Sequence, residues 1–186
     1  MSARSALIGL GLVALATGCR QPTVAVEVVF PSSSAFLHAA VARIDVYDGS
    51  DVGDRSPAAI CRSLSTNPPA PPSGVQPLAS SGNTEICAFR AGGVTLPAIG
   101  VGRRVVFVEA EDFAGQAIMR GCSVVDIFGD DDTALAGDDA AIARDLEAVS
   151  VVEVPVAILP AFPAGPAGCQ SITEKCEEGL SCRPEP

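Results

Sequence analysis

"GVGRRVVFVEAED", Gly100 to Asp112, is the stretch that decides the fold. From Arg104 to Glu111 it predicts one β-strand, because β-branched and aromatic residues dominate and successive side chains alternate between two faces. At its centre Val105, Val106, Phe107 and Val108 are apolar on both faces at once. A strand with one wet face shows clean alternation, so this one belongs inside a sheet that another layer covers. Arg103 and Arg104 fall on opposite faces and make no basic cluster. Glu109 and Glu111 share a face.

Working outward, Asp112 to Gly115 predicts a turn, and "QAIMRGCSVVDI" predicts the return strand, which carries Cys122. Upstream, "TVAVEVVF" (Thr23–Phe30) alternates with Val24, Val26, Val28 and Phe30 on one face. After the turn "PSSS", residues 40–47 set Ala40, Ala42, Ile44 and Val46 against Arg43, Asp45 and Tyr47, the pattern of a half-buried strand. "AAICRSL" reads as a short helix pinned by Cys61. Residues 64–83 are rich in Pro, Ser and Gly without periodicity, which predicts a long disordered loop. "VSVVEVPVAIL" is the last strand, with Val152, Val154, Val156 and Ile158 on one side; Pro155 places it at a sheet edge or bulge. About seven short strands with little helix predict an all-β fold, an antiparallel Ig-like sandwich.

The run "VTLPAIGVGRRVVFVEAEDFAGQAIMRGC" resembles the core of prealbumin-like sandwich domains, a group that includes carboxypeptidase regulatory-like domains. The resemblance is carried by Leu96-Pro97, Gly102, the valine-rich strand 105–108, Ala110, Asp112, Gly115 and Gly121-Cys122. It covers that stretch alone. It implies spacing, stiffness or binding rather than catalysis.

The chain opens MSARSALIGLGLVALATGC. The apolar run from Ala6 to Thr17 would reach about 18 Å as a helix, too short for a hydrocarbon core of about 30 Å. It has the size of a signal-peptide core. Leu15-Ala16-Thr17-Gly18-Cys19 resembles the lipobox of bacterial lipoproteins, with Ala16 where leucine is preferred. The resemblance implies cleavage after Gly18, lipidation of Cys19, and, since Arg20 rather than aspartate follows, an outer-membrane destination in a Gram-negative cell. The expected plan is therefore a leader at 1–18 and a lipidated tether at 19–22. A sandwich domain at 23–160, with an acidic loop at 128–147, precedes a Pro/Gly linker and Cys-rich tail at 161–186.

The formal charge of −10 opposes a nucleic-acid partner, which needs a basic field. Beyond Cys19 remain Cys61, Cys87, Cys122, Cys169, Cys176 and Cys182. An even number in an exported chain reads as three disulfides, for which fifteen pairings exist. Three of these cysteines lie in the body and three in the tail. If all six pair, parity requires at least one bond between the two, which makes the tail a stapled appendage. Zinc is disfavoured by the absence of any C-x-x-C and by the presence of a single histidine, His38.

The most acidic stretch, "DIFGDDDTALAGDDAAIARDLE", offers Asp130, Asp132 and Asp138 as candidate calcium ligands. The EF-hand spacing fails at Ala134 and Leu135, and a solvated loop with Asp139 capping a short helix fits as well. Glu109 and Glu111 would stand about 6.8 Å apart, within the range of inverting glycosidases. The chain has no tryptophan and one tyrosine for a sugar platform, and Arg103 offers Glu109 a same-face partner. His38 reads as a surface or cap residue rather than a base. The sequence thus predicts a non-enzymatic envelope lipoprotein without cofactor, held to the membrane by lipid and acting on an envelope protein or glycan. The alternative is a calcium-dependent adhesion or ligand-binding module built on the acidic loop.

Overall fold

The computed structural model of the chain describes residues 24–50, 53–91, 94, 96, 99–127, 150–179 and 182. Among them are seven strands: β1 (Val24–Val29), β2 (Val41–Asp48), β3 (Pro77–Ser80), β4 (Thr84–Glu85), β5 (Gly102–Glu111), β6 (Ala117–Ile127) and β7 (Ser150–Ile158). The helices are α1 (Ser33–His38), α2 (Pro57–Leu64), α3 (Ile86–Arg90) and α4 (Ile172–Cys176). The leader, the tether and the acidic loop lie outside the described residues.

The strands form one curled, mixed sheet in the order β1-β7-β6-β5-β2-β3, with β4 also on β2. Its body is antiparallel, but β1 runs parallel to β7. That differs from the all-antiparallel sandwich expected. Alternation reports which residues face inward and is blind to strand direction, so the β1–β7 sense was not encoded in the pattern.

Strand β5 is covered on both faces, as its apolar centre predicts. On one side the registered pairs Ala42–Ala110, Ile44–Val108 and Val46–Val106 line the main core. There they meet Phe36 of α1, Ile86 and Phe89 of α3, and Val152, Val154 and Val156 of β7. On the other side Tyr47, Val105 and Phe107 pack under Ile60 and Leu64 of α2, with Val75 beside them. Leaving Val105 and Phe107 wet would cost about 3–6 kcal/mol, so α2 has a firm reason to be there. Its start is set by Ser56, whose Oγ accepts from Ala59 N at 3.3 Å, and by Pro57 in the first turn. The Cys61–Cys122 disulfide ties α2 to β6. Both faces of β2 are covered too, so it is not the half-buried strand that its polar alternation suggests: Asp45 and Tyr47 are buried.

The Pro-rich stretch 64–83 is not the structureless loop expected. It carries Leu64 at the end of α2, the buried Val75, and β3, which pairs antiparallel with β2. The tail is likewise no appendage. Cys87–Cys176 joins it to the body and Cys169–Cys182 closes it on itself, which meets the parity requirement with one cross-bond. Ile172, Cys176 and Phe162 pack against the main core. Losing a bond such as Cys87–Cys176 from a domain of this kind typically costs about 2–5 kcal/mol.

Strand β7 serves two ladders in turn. Ser150–Pro155 pairs with β1, and Val156–Ile158 pairs with β6. Pro155, which has no N–H to donate, marks the changeover; of the two places the sequence suggested, a sheet edge or a bulge, it is not at the edge but where β7 changes partner inside the sheet. Gly121 faces Val156 across this point, and a Cβ on Gly121 would lie 2.4 Å from the Pro155 carbonyl oxygen. The sheet curls where a missing side chain lets two backbones close in. Gly121→Ala is expected to lower stability by about 1–3 kcal/mol in denaturant unfolding, whereas Pro155→Ala is expected to change it less; equal effects would remove Gly121 as the pivot.

Candidate functional site

The densest group of buried charge lies on the α2 side of the sheet. Register sets Arg43 of β2 opposite Glu109 of β5, and Glu109 opposite Arg120 of β6, a row of alternating charge across three strands. Arg120 Nε donates to Glu109 Oε2 at 2.5 Å, and Arg43 Nη2 donates to Oε1 at 3.2 Å. Arg43 Nε lies 3.0 Å from Asp45 Oδ2, out of line for a hydrogen bond. Ser80 of β3 donates to Asp45 Oδ1 at 2.5 Å, and Arg120 Nη1 donates to the Thr66 carbonyl at 2.8 Å. The two guanidiniums and two carboxylates cancel. Their outer partners, Thr66 and Ser80, belong to the stretch that was expected to be disordered, so the row holds that stretch down.

These contacts reassign the carboxylate pair considered from sequence. Both oxygens of Glu109 are taken by guanidiniums, and a register shift between Ala110 and Glu111 interrupts the spacing on which the pair depended. Arg103 does not partner Glu109; it lies 3.6 Å from Asp126, its cross-strand neighbour. Arg104, on the other face, pairs with Asp48 and donates to the carbonyl of Gly100 at 3.0 Å, which shapes the approach to β5.

Tyr47 lies on the same face as the row. Burial, reinforced by the neighbouring Asp45 carboxylate, pushes its hydroxyl up to about 12 against an ordinary 10.0. A phenol surrounded this way stays neutral through the whole physiological range.

The second polar constellation joins the tail to the body. Lys175, the only lysine in the chain, is buried at 7% exposure. Its Nζ donates to the carbonyls of Leu37 at 2.7 Å, Phe36 at 3.3 Å, and Ala39. These carbonyls lie at the end of α1, where a cation is favoured by the helix dipole, and that of Phe36 also accepts from Ala39 N. Phe36 and Phe113 present their rings to Nζ at 5.6 and 5.2 Å. Burial pulls the ammonium down to about 8 from 10.5, against the pull of Glu85. The helix that delivers Lys175 starts at Ser171, whose Oγ accepts from Glu174 N, while Glu174 Oε2 accepts from Gln170 N. "SITE", Ser171–Glu174, is a capping-box signal legible in the sequence and passed over there.

His38 is buried, not a surface residue. It ends α1, its Nε2 donates to the Gly165 carbonyl at 3.2 Å, and its ring meets Phe162 edge-on. Its Nδ1 has no hydrogen-bond partner among the described residues. A shallow cavity of about 450 Å³ beside it is lined by Asp112, Phe113 and Gln116. Asp112 is already used there, because its Oδ1 accepts from Ala114 N and Gln116 N to form the predicted turn.

Cys19 and the candidate calcium ligands Asp130, Asp132 and Asp138 lie outside the described residues. Among the described residues no three His, Cys, Asp or Glu side chains converge as a metal site. No protein-family model matches the chain, and no curated protein or solved structure matches it either.

Two measurements probe the charged row. Glu109→Leu alone strands the buried Arg120 guanidinium and is expected to cost about 3–5 kcal/mol, while Glu109→Leu with Arg120→Met is expected to cost less than that single change; strict additivity would show that the pair is uncoupled. Tyr47 is the only tyrosine and there is no tryptophan, so phenolate absorbance reports it alone. In the folded chain it is expected to rise near pH 12, and in denaturant near 10. Between those values the unfolded state has released a proton that the folded state keeps, so stability falls as pH climbs through that window. A folded-state titration at the ordinary value would refute the burial.

Proposed function

We propose that this chain is an envelope lipoprotein of a Gram-negative bacterium, anchored through acylated Cys19 in the outer membrane and presenting a disulfide-locked domain that binds rather than catalyses. One observation carries the reading. The six cysteines downstream pair among themselves, Cys61 with Cys122, Cys87 with Cys176 and Cys169 with Cys182. The odd cysteine is Cys19, the one at the end of the lipobox-like segment. Three disulfides suit an oxidising compartment, and lipidation accounts for the remaining thiol.

Other features are consistent with this. No helix among the described residues is long and apolar enough to cross a membrane, so stable attachment would fall to the acyl chains. Residues 20–23 span at most about 14 Å, which would hold β1 close to the headgroups. The non-catalytic reading rests on Glu109, whose oxygens are committed to Arg43 and Arg120. Kinship with prealbumin-like domains is part of the same proposal and rests on residues 94–122 alone. The partner is an envelope protein or glycan, with nucleic acid disfavoured by the acidic charge.

Cys19→Ser is the direct test. The wild-type chain is expected to enter the membrane fraction and take up labelled palmitate, and the variant is expected to lose both. Equal fractionation and equal label in the two chains would overturn the proposal.

A further inference from the structure

The sheet stops short of closing on the β1 side. Among the described strands, β1 pairs only with β7, so alternate residues along its other edge present backbone N–H and C=O groups to no strand. Beneath that edge runs a groove of about 650 Å³. Val26, Val28 and Phe30 of the β1 segment face it, opposite Phe36, Phe89 and Ile172. The three β1-side residues touch the main core but remain only partly buried.

Charge narrows what fits. Glu27, on the outer face of β1, is exposed and has no ion-pair partner among the described residues, and Arg90 stands equally unpaired at the groove's rim. A second copy of this chain brings another net charge of −10 to the edge, so self-pairing there is disfavoured. A glycan offers no ladder of amide groups for the open backbone. An extended polypeptide does, and its alternating side chains reach the groove on one face and Glu27 on the other.

We propose that the free edge of β1 and the groove beneath it take up an extended segment of another protein, which adds a strand there with β-branched side chains in the groove and a basic side chain beside Glu27. The inference deepens the binding role proposed above by naming the partner's chemistry, and it rests on that role but not on lipidation.

The test uses the otherwise complete Cys19→Ser chain, isotopically labelled, and two blocked synthetic peptides of alternating valine and threonine. One carries a central lysine and its twin a glutamate. The lysine peptide is expected to shift backbone amide resonances of β1 and of groove residues Phe89 and Ile172, saturably, and to bind more tightly than its twin. Glu27→Lys, an exposed change that leaves the core intact, is expected to weaken the lysine peptide by about two- to fivefold and to reverse the preference. Absence of β1 shifts with either peptide, or a preference untouched by Glu27→Lys, overturns the inference. So does a concentration-dependent dimer of the free chain whose interface maps to β1. Equal membrane fractionation and equal palmitate label in the wild-type and Cys19→Ser chains would instead strike the anchoring proposal and leave this result standing.

Discussion

The structure depends on one requirement: β5 is apolar on both faces and needs cover on both. The main core supplies it on one side by curling β6 and β7 around α1 and α3. On the other side a single two-turn helix, α2, does the work, and it is too short to be stable alone. That explains why α2 is bolted to β6 by a disulfide and why the chain after it is drawn back across the sheet instead of trailing in solvent. The close approach at Gly121 belongs to the same requirement, since the sheet has to bend sharply to bring β7 over the core.

The row Arg43–Glu109–Arg120 is costly to bury, and an apolar row of similar volume would stabilise as well or better. What it adds is discrimination. A one-residue slip against β5 would set Ala42 or Ile44 of β2, or Met119 or Gly121 of β6, opposite Glu109 and leave its charge unpaired, so the row penalises wrong registers where the surrounding valines are nearly interchangeable. It also gives a proline-rich segment, with few apolar side chains to bury, polar anchor points at Thr66 and Ser80.

Five of the strands are legible in the sequence within a residue or two, because alternation is a local signal: β1, β2, β5, β6 and β7 all announce themselves. Helix α2 is legible too. The strands that escape are β3 and β4, which are short and borrow their order from β2. Strand direction escapes because the pattern Val26, Val28, Phe30 reads the same whichever way its neighbour runs. The charged row escapes for a related reason: Arg43, Glu109 and Arg120 lie far apart in the chain and meet only through register. Parity of the cysteines required a body–tail bond but could not choose Cys87 for it. Helix α4 was within reach through Ser171 and Glu174, whereas the burial of His38 and Lys175 was not, because it arises from the tail docking on α1.

With Lys175 enclosed beneath two phenylalanine rings, every other basic side chain in this protein is an arginine, apart from the single histidine, His38. The folded domain consequently offers no surface ε-amine to acylating reagents or to amine-directed crosslinkers, and proteases that cut after lysine find their only sequence target shielded. Neighbour mapping on the intact domain is therefore better directed at its carboxylates, which are plentiful.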